Sequence, residues 1–262
     1  MSMNRRDFIK KAGISTILGI GGLSAMNGLR NYVEASQVTV NPQALKAKRW
    51  GMVVDMSKFK TPEDYQQCID ACNKAHNVPA IGDKKEEVKW IWTEHFENAF
   101  PTQEHEYTLE DVKEKPFVVL CNHCKNPPCV RVCPTQATWK RSDGLVMMDM
   151  HRCIGCRYCV VACPYGSRSF NWEDPRPGVV AGQSDYPTRT KGVVEKCTFC
   201  AERLAVGLQP LCVGKCAEIG VNAMAFGDLS DPNSQVARML READTARRKP
   251  QMGTSPNIFY IL

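Results

Sequence analysis

Short apolar runs separated by polar segments dominate the hydropathy pattern, and they predict short strands. The first run is Trp50–Asp55, and Lys89–Thr93, Phe117–Leu120 and Ala223–Phe226 follow it along the chain. The last run is Asn257–Leu262. Its apolar side chains can pack on the protein's own sheet or against a partner, and we favour packing on its own sheet.

Two other segments have helical spacing. Pro62 begins a segment of helical character, because proline is favoured in the first turn of a helix. Apolar residues at positions 236, 239, 240 and 243 predict an amphipathic helix over 235–246. Between them, Thr135–Trp139 and Leu145–Asp149 flank an Asp-Gly pair, which predicts a hairpin.

The amino-terminal segment has the pattern of an export signal. Paired arginines at positions 5 and 6 precede an apolar, glycine-containing run over 12–26. This pattern resembles a twin-arginine signal, and the run is shorter than the roughly 20 residues that span a bilayer. We expect residues 1–35 to be such a signal, either cleaved after Val33-Glu34-Ala35 or retained as an anchor, and residues 36–50 to be a linker.

The fourteen cysteines carry the chemistry of the chain. Two complete quartets, each followed by proline, are Cys121, Cys124, Cys129, Cys133 and Cys153, Cys156, Cys159, Cys163. The second has the spacing C-x2-C-x2-C-x3-C-P of bacterial ferredoxins, in which the fourth cysteine ligates the other cluster of a two-cluster unit. Zinc needs only four ligands and often recruits histidine, and disulfide frameworks are typical of small secreted domains. Iron–sulfur clusters are therefore the favoured interpretation.

Two further cysteine groups extend the pattern. They are the pair Cys68, Cys72 and the quartet Cys197, Cys200, Cys212, Cys216. The recurrence of cysteine groups predicts an α+β fold of two ferredoxin-like two-cluster modules, one inserted in the other, with short strands, helices and long cluster-binding loops. Within a multi-cluster domain over 51–262, we expect the inner module at about 115–172 and the outer module at about 51–80 plus 190–230.

The formal charge of +6 does not indicate a nucleic-acid partner. Half of that excess lies in residues 1–35, and each oxidised four-iron cluster with four thiolates adds about −2. His123 and His151 lie beside cluster cysteines. We expect these two histidines to surround the ligands or to lie at the surface rather than to bind iron themselves. The sequence contains no C-x-x-C-H, phosphate loop, dinucleotide fingerprint or nucleophile elbow, so we expect no catalytic residue.

Three strings carry a resemblance to a known family: CNHCKNPPCVRVCP, HRCIGCRYCVVACPYGSRSF and VEKCTFCAERLAVG. They resemble the periplasmic ferredoxin-like subunits of membrane oxidoreductases, among them the electron-transfer subunits of dimethyl sulfoxide, polysulfide, tetrathionate and nitrite reductase systems. The strings KWIWTEHFENAFP, DYPTRTKGVVEKC and FGDLSDPNS, with the twin-arginine pattern, are most similar to the DsrO subunits of the DsrMKJOP complex of sulfate reduction. The resemblance covers about residues 50–262.

The resemblance implies three [4Fe-4S] clusters rather than the four of many family members, because the first cysteine group retains only Cys68 and Cys72. By the crossed family topology, the ligand sets are Cys121, Cys124, Cys129 with Cys163, then Cys153, Cys156, Cys159 with Cys133, and Cys197, Cys200, Cys212 with Cys72. Cys68 and Cys216 are left over and face each other in that topology. We expect them to form a disulfide where the lost cluster stood. Alternatively, each quartet binds its own cluster, and Cys72 is dispensable.

The resemblance also implies a function, electron transfer on the periplasmic face of the cytoplasmic membrane. The expected partners are a quinone-reactive, NrfD-like integral membrane subunit and a multihaem cytochrome c subunit, as in DsrMKJOP. The alternative within the class is the electron-transfer subunit of a molybdopterin reductase of the tetrathionate or polysulfide type. A standalone soluble ferredoxin and a structural protein with zinc-filled quartets are the remaining interpretations.

Overall fold

A computed structural model describes residues 41–262 except 104 and 180–183. These residues form nine strands and eight α-helices, joined by short 3-10 turns and long loops. The strands are β1 (Trp50–Asp55), β2 (Ile91–Glu94), β3 (Phe117–Leu120), β4 (Thr138–Lys140), β5 (Val146–Met148), β6 (Ser169–Phe170), β7 (Val194–Glu195), β8 (Met224–Asp228) and β9 (Ile258–Ile261). The helices are α1 (Pro62–Ala75), α2 (Phe96–Ala99), α3 (Glu110–Glu114), α4 (Pro128–Arg131), α5 (Tyr158–Ala162), α6 (Ala201–Leu204), α7 (Leu211–Glu218) and α8 (Gln235–Glu242). The fold is α+β, as the sequence predicts.

The largest sheet places the first strand of the described chain in its middle. Its order is β8-β1-β9, and β1 pairs antiparallel with β8 and parallel with β9. All six residues of β1 are buried. Met52 and Val54 enter the main core, whereas Val53 enters a smaller core that includes Val236 of α8, because successive side chains of a strand point to opposite faces. The pairing of β9 confirms that the last apolar run packs on the protein's own sheet.

Helix α8 is shorter than the sequence predicts. It begins after Ser234, whose hydroxyl accepts the backbone N–H of Ala237, as an N-cap does. It ends at Glu242 instead of continuing to residue 246. Ala246 instead forms a β-bridge with Tyr260, with its backbone N–H donating to the Tyr260 oxygen at 2.8 Å. The backbone groups of Ala246, which a longer helix would have used for its own hydrogen bonds, therefore pair with β9.

Three two-stranded sheets surround the cysteine loops. They are β2–β3, β4–β5 and β6–β7, all antiparallel. The β4–β5 hairpin confirms the predicted turn, in which Gly144 adopts a φ of +87° that suits glycine. Strand β2 begins two residues later than predicted, at Ile91, and pairs with β3. Because β3 is buried along its whole length, it fixes the point at which the chain reaches Cys121.

Two helix pairs are nested along the chain. Helix α1 packs against α7, and α4, which lies between them in sequence, packs against α5. A capping box between Thr61 and Asp64, with Pro62 in the first turn, fixes the start of α1. Among the described residues, no helix combines the length and apolar character needed to cross a bilayer. The predicted export signal and most of the predicted linker lie outside the described residues.

Candidate metal centres

Four cysteines from two different quartets line one cavity. Cys121 follows β3, Cys124 lies in the next loop, Cys129 lies in α4, and Cys163 follows α5, and all four line the same cavity. Burial, together with the negative charge of the sulfurs of Cys121, Cys163 and Cys129, raises the pKa of Cys124 to about 12. The structure thus brings together the residues of the first predicted ligand set.

The second predicted set is partly at the surface. Cys133, Cys153 and Cys159 belong to one apolar cluster, which also contains Val194 and Cys129 of the first set. The backbone N–H of Val194 donates to Sγ of Cys153 at 3.5 Å. Of the fourteen cysteines, all of which are described, only Cys156 is exposed. The structure therefore gathers three members of this set around a common core and leaves the fourth open to solvent.

The third predicted set is deeply buried. It consists of Cys197, Cys200, Cys212 and Cys72. Burial raises the pKa of Cys197 well above its usual value, and the sulfurs of Cys72 and Cys200 raise it further. Burial raises the pKa of Cys212 in the same way, again with contributions from Cys200 and Cys72. Cys72 therefore lies among the last quartet rather than apart from it.

The backbone around this third set is shaped to donate hydrogen bonds to sulfur. Phe199 and Cys200 adopt left-handed conformations with φ of +56° and +50°, which non-glycine residues rarely adopt. The N–H of Phe199 donates to Sγ of Cys197 at 3.4 Å, and the N–H of Leu211 donates to Sγ of Cys200 at the same distance. Such donors stabilise thiolate sulfur, the form that ligates metals.

Cys68 and Cys216, the two cysteines outside these sets, lie next to each other. Both are fully buried, Cys68 on α1 and Cys216 on α7. A hydrogen bond between their side chains raises the pKa of Cys68 and lowers that of Cys216 to about 7. The N–H of Ala223 also donates to Sγ of Cys216 at 3.2 Å. Each of these cysteines is one helical turn from a member of the third set, since residues four apart share a helix face.

The sequence analysis missed His76, which is 1% exposed. Its Nδ1 lies 3.5 Å from Sγ of Cys72, and its Nε2 lies 3.0 Å from Oε1 of Glu202. Burial lowers the pKa of His76, but hydrogen bonds with Cys200, Cys72 and Glu202 outweigh it and raise that pKa above its usual value. A histidine four residues after Cys72, directly after the end of α1, was the only signal in the sequence. Its contact with Glu202 needs the folded chain.

Comparisons with known proteins find iron–sulfur subunits among the relatives of this chain. The sequence model of the 4Fe-4S dicluster domain matches residues 113–177. The chain is 39% identical to the Hdr-like menaquinol oxidoreductase iron-sulfur subunit 1 of Archaeoglobus fulgidus, over 98% of this chain and 97% of that protein. It is 43% identical to a tetrathionate reductase subunit of Salmonella typhimurium, over 100% of this chain and 89% of that protein. Protein NrfC of Escherichia coli K12 is 31% identical over 100% of this chain and 96% of its own length.

The chain belongs to this family of 4Fe-4S subunits. A fit to the family's cofactor can be tested on the residues themselves. In an iron–sulfur subunit, sulfurs of four cysteines must converge on one space, and those of Cys121, Cys124, Cys129 and Cys163 line one cavity. Buried thiols with raised pKa values are costly to ionise without a metal, and a metal removes that cost by binding the thiolate. The residues present therefore fit a [4Fe-4S] cluster.

Buried cations lie beside the cysteines of the iron–sulfur subunit. Arg168 is 4% exposed, and although burial lowers its pKa, the sulfurs of Cys129 and Cys159 raise it above the usual value. Lys196 is fully buried and donates from Nζ to the backbone oxygen of Cys197 at 2.7 Å. Other basic residues near the quartets lie towards solvent; Arg152, for example, is exposed and pairs with Asp149. Arg168 and Lys196 are thus placed to offset negative charge on ligated sulfur.

The two histidines named in the sequence analysis differ in their surroundings. His123 is buried, its Nδ1 accepts the N–H of Val146 at 3.0 Å, and its ring stacks on Phe199 at 3.8 Å. Burial lowers its pKa well below the usual value, and the nearby charge of Lys196 lowers it further. His123 is therefore a neutral packing residue. His151 lies at the surface.

Proposed function

We propose that this iron–sulfur subunit carries three [4Fe-4S] clusters and transfers electrons within a membrane-bound oxidoreductase complex. The observation that carries the proposal is the single cavity lined by four cysteines drawn from two quartets. Each bound cluster accepts and releases one electron. The protein holds the clusters, shields them from water and sets their potentials through burial and hydrogen bonds.

The proposed ligand sets are those of the crossed topology. The first set is Cys121, Cys124, Cys129 and Cys163; the second is Cys153, Cys156, Cys159 and Cys133; the third is Cys197, Cys200, Cys212 and Cys72. The proximity of Cys72 to Cys200 and Cys212 supports the third set, and the shared apolar cluster of Cys133, Cys153 and Cys159 supports the second. In the same interpretation, the nested helix pairs correspond to two ferredoxin-like modules, with the inner one inserted in the outer one.

Contacts between the sets support a linear order for electron transfer. Cys121 of the first set contributes to the raised pKa of Cys197 in the third set. Cys129 of the first set contributes in the same way to Cys159 of the second set. We propose that the first set lies between the other two, so that electrons enter at one outer set and leave at the other.

The second set supports a docking site for the membrane partner. Around the exposed Cys156, the side chains of Ile154, Tyr158 and Val161 are 67%, 64% and 87% exposed. Exposed apolar side chains grouped in this way mark interaction surfaces. We propose that an NrfD-like integral membrane subunit covers them. Val161→Asp should reduce co-purification of the membrane subunit, whereas Val206→Asp, at a residue 48% exposed elsewhere, should leave it unchanged. Equal co-purification by both variants would refute this site.

Relatives support the class of complex. Among them are a protein named as an iron-sulfur subunit of a menaquinol oxidoreductase and one from Nitratidesulfovibrio vulgaris named as the iron-sulfur cluster-binding subunit of a menaquinone reductase. We propose that this subunit works at the periplasmic face of the cytoplasmic membrane after twin-arginine export. There it would relay electrons between the membrane subunit and a multihaem cytochrome c, as in DsrMKJOP of sulfate reduction.

The alternative is the electron-transfer subunit of a molybdopterin reductase, which the similarity to the tetrathionate reductase subunit favours. The cofactor content of the complex purified through this subunit separates the two. Covalent haem without molybdopterin supports the cytochrome partner, and molybdopterin without haem supports the reductase.

Cys68 and Cys216 occupy the place of a fourth cluster in this proposal. We propose that they form a disulfide after export, by exchange with a disulfide-bearing oxidant: the two thiols lose two protons and two electrons, and the oxidant's disulfide becomes two thiols. Their shared hydrogen bond supports this pairing. Mass spectrometry of alkylated, unreduced periplasmic protein should find one peptide pair joined through these cysteines. Alkylated Cys68 and Cys216 would contradict the disulfide.

The deciding experiment for the whole proposal is the metal content of protein purified without oxygen. Three clusters predict about twelve iron and about twelve acid-labile sulfide per chain. About sixteen of each would mean that the fourth site is filled and that the disulfide proposal is wrong. Zinc without sulfide would refute electron transfer altogether and support a structural role for the cysteines.

A further inference from the structure

The ring of His76 contacts two sulfurs of the third ligand set. Nδ1 lies 2.9 Å from the backbone oxygen of Cys72 and 3.5 Å from its Sγ. Nε2 lies 3.0 Å from Oε1 of Glu202, and Sγ of Cys200 lies within 4.8 Å of a ring nitrogen. His76 is thus next to two of the four sulfurs that would hold one cluster.

The partner of Nδ1 shows that this ring nitrogen carries a hydrogen. A backbone carbonyl oxygen only accepts, so Nδ1 must donate to the oxygen of Cys72. The same edge of the ring lies 3.5 Å from Sγ of Cys72. On the opposite edge, Nε2 lies 3.0 Å from Oε1 of Glu202, whose side chain is 42% exposed.

Aromatic contacts hold the orientation of the His76 ring. It stacks on Trp90 with 4.6 Å between ring centroids, and it meets Tyr186 in an edge-to-face contact with 5.0 Å between ring centroids. Trp90 is itself fixed, because its Nε1 donates to the buried carboxylate of Glu195 at 2.7 Å. The imidazole ring therefore keeps one edge towards the third set and the other towards Glu202.

We propose that His76 is a positioning residue that raises the reduction potential of the cluster held by Cys72 and Cys200. Reduction adds one negative charge to the cluster, and an N–H donor beside its sulfurs stabilises the reduced state. This inference rests on the proposed function, because it requires a cluster at the third set. His123 offers a contrast, since it is also buried and stacked, but its Nδ1 accepts the backbone N–H of Val146.

The test compares His76→Phe with His123→Phe in full-length protein purified without oxygen. Both variants keep an aromatic ring where the histidine stacks on an aromatic neighbour. Redox titration followed by electron paramagnetic resonance should show that His76→Phe lowers the midpoint potential of one cluster and leaves the others unchanged. His123→Phe should shift that cluster less. His76→Gln, which keeps an N–H donor, should give a smaller shift in the same direction.

Wild-type protein supplies a second measurement that does not depend on any variant. With histidine labelled with nitrogen-15, pulsed electron paramagnetic resonance of reduced protein should detect a weakly coupled histidine nitrogen at one cluster. Absence of that coupling, or unchanged potentials in a His76→Phe protein with its full iron content, would overturn the role of His76 alone. Wild-type protein without iron and sulfide would instead refute the proposed function.

Discussion

Replacing Cys72 by alanine tests the crossed ligand sets most directly. The sulfur of Cys72 lies among those of Cys197, Cys200 and Cys212, so the variant removes one of four ligands from one buried cluster. Of the roughly twelve iron atoms in three clusters, we expect a loss of about four, or of about one if a three-iron fragment remains. Cys72 is not a ligand of the other two clusters, so the variant should retain at least about eight iron atoms per chain.

Cys68→Ala is the matched control. Cys68 lies on the same helix one turn earlier, and both side chains are buried, with exposures of 0% for Cys68 and 5% for Cys72. Each substitution removes one sulfur atom from similar surroundings, so a difference in iron content between the two variants reports ligation rather than packing. Iron and acid-labile sulfide per chain, with spin integration of the reduced clusters, measure it. Full iron in Cys72→Ala together with iron loss in Cys216→Ala would refute the crossed sets and favour clusters confined to single quartets.

Two further predictions concern stability. Glu195→Gln leaves the guanidinium of Arg189, which is 1% exposed, without its carboxylate partner, and breaking a buried ion pair costs about 3–5 kcal/mol. A urea titration should therefore show a large drop in the unfolding midpoint. Glu173→Gln, which removes an exposed ion pair, should leave that midpoint nearly unchanged. Equal midpoints for the two variants would contradict the importance of the buried pair. Gly155→Ala places a Cβ against the backbone oxygen of Gly192 at a φ of +70°, so thermal unfolding should occur at a lower temperature than in Gly166→Ala, where φ is a similar +65° but no atom lies within 4 Å of the new Cβ. The left-handed backbone alone costs about 1–2 kcal/mol in both variants. Identical unfolding temperatures would mean that the loop around Gly192 moves without cost.

Local sequence signals were enough for most of the secondary structure. The apolar run at β1, the Asp-Gly turn between β4 and β5 and the proline at the start of α1 each depend on neighbouring residues, and each prediction is confirmed. The end of α8 was predicted wrongly because a distant strand decides it, through the pairing of Ala246 with Tyr260. Helical spacing cannot reveal such competition for backbone groups.

The candidate site was predictable to the extent that cysteine spacing is itself the signal. The environment of the cysteines was not, since it depends on contacts between distant parts of the chain. His76 meets Glu202 across 126 residues. Among the basic residues near the quartets, only the fold distinguishes Arg168, which is buried among sulfurs, from Arg152, which is 66% exposed. Lys196 directly precedes Cys197, and its burial likewise follows from packing rather than from its position in the sequence.

The order β8-β1-β9 has a consequence for synthesis on the ribosome. The middle strand is made first, but its partners come much later: Val54 pairs with Met224, 170 residues on, and Met52 pairs with Ile258, 206 residues on. At about 5–20 residues per second, the middle strand waits about 10–40 s for β9. During that time the apolar residues of β1 lack their sheet partners, so they stay open to other contacts until Ile258 has been made.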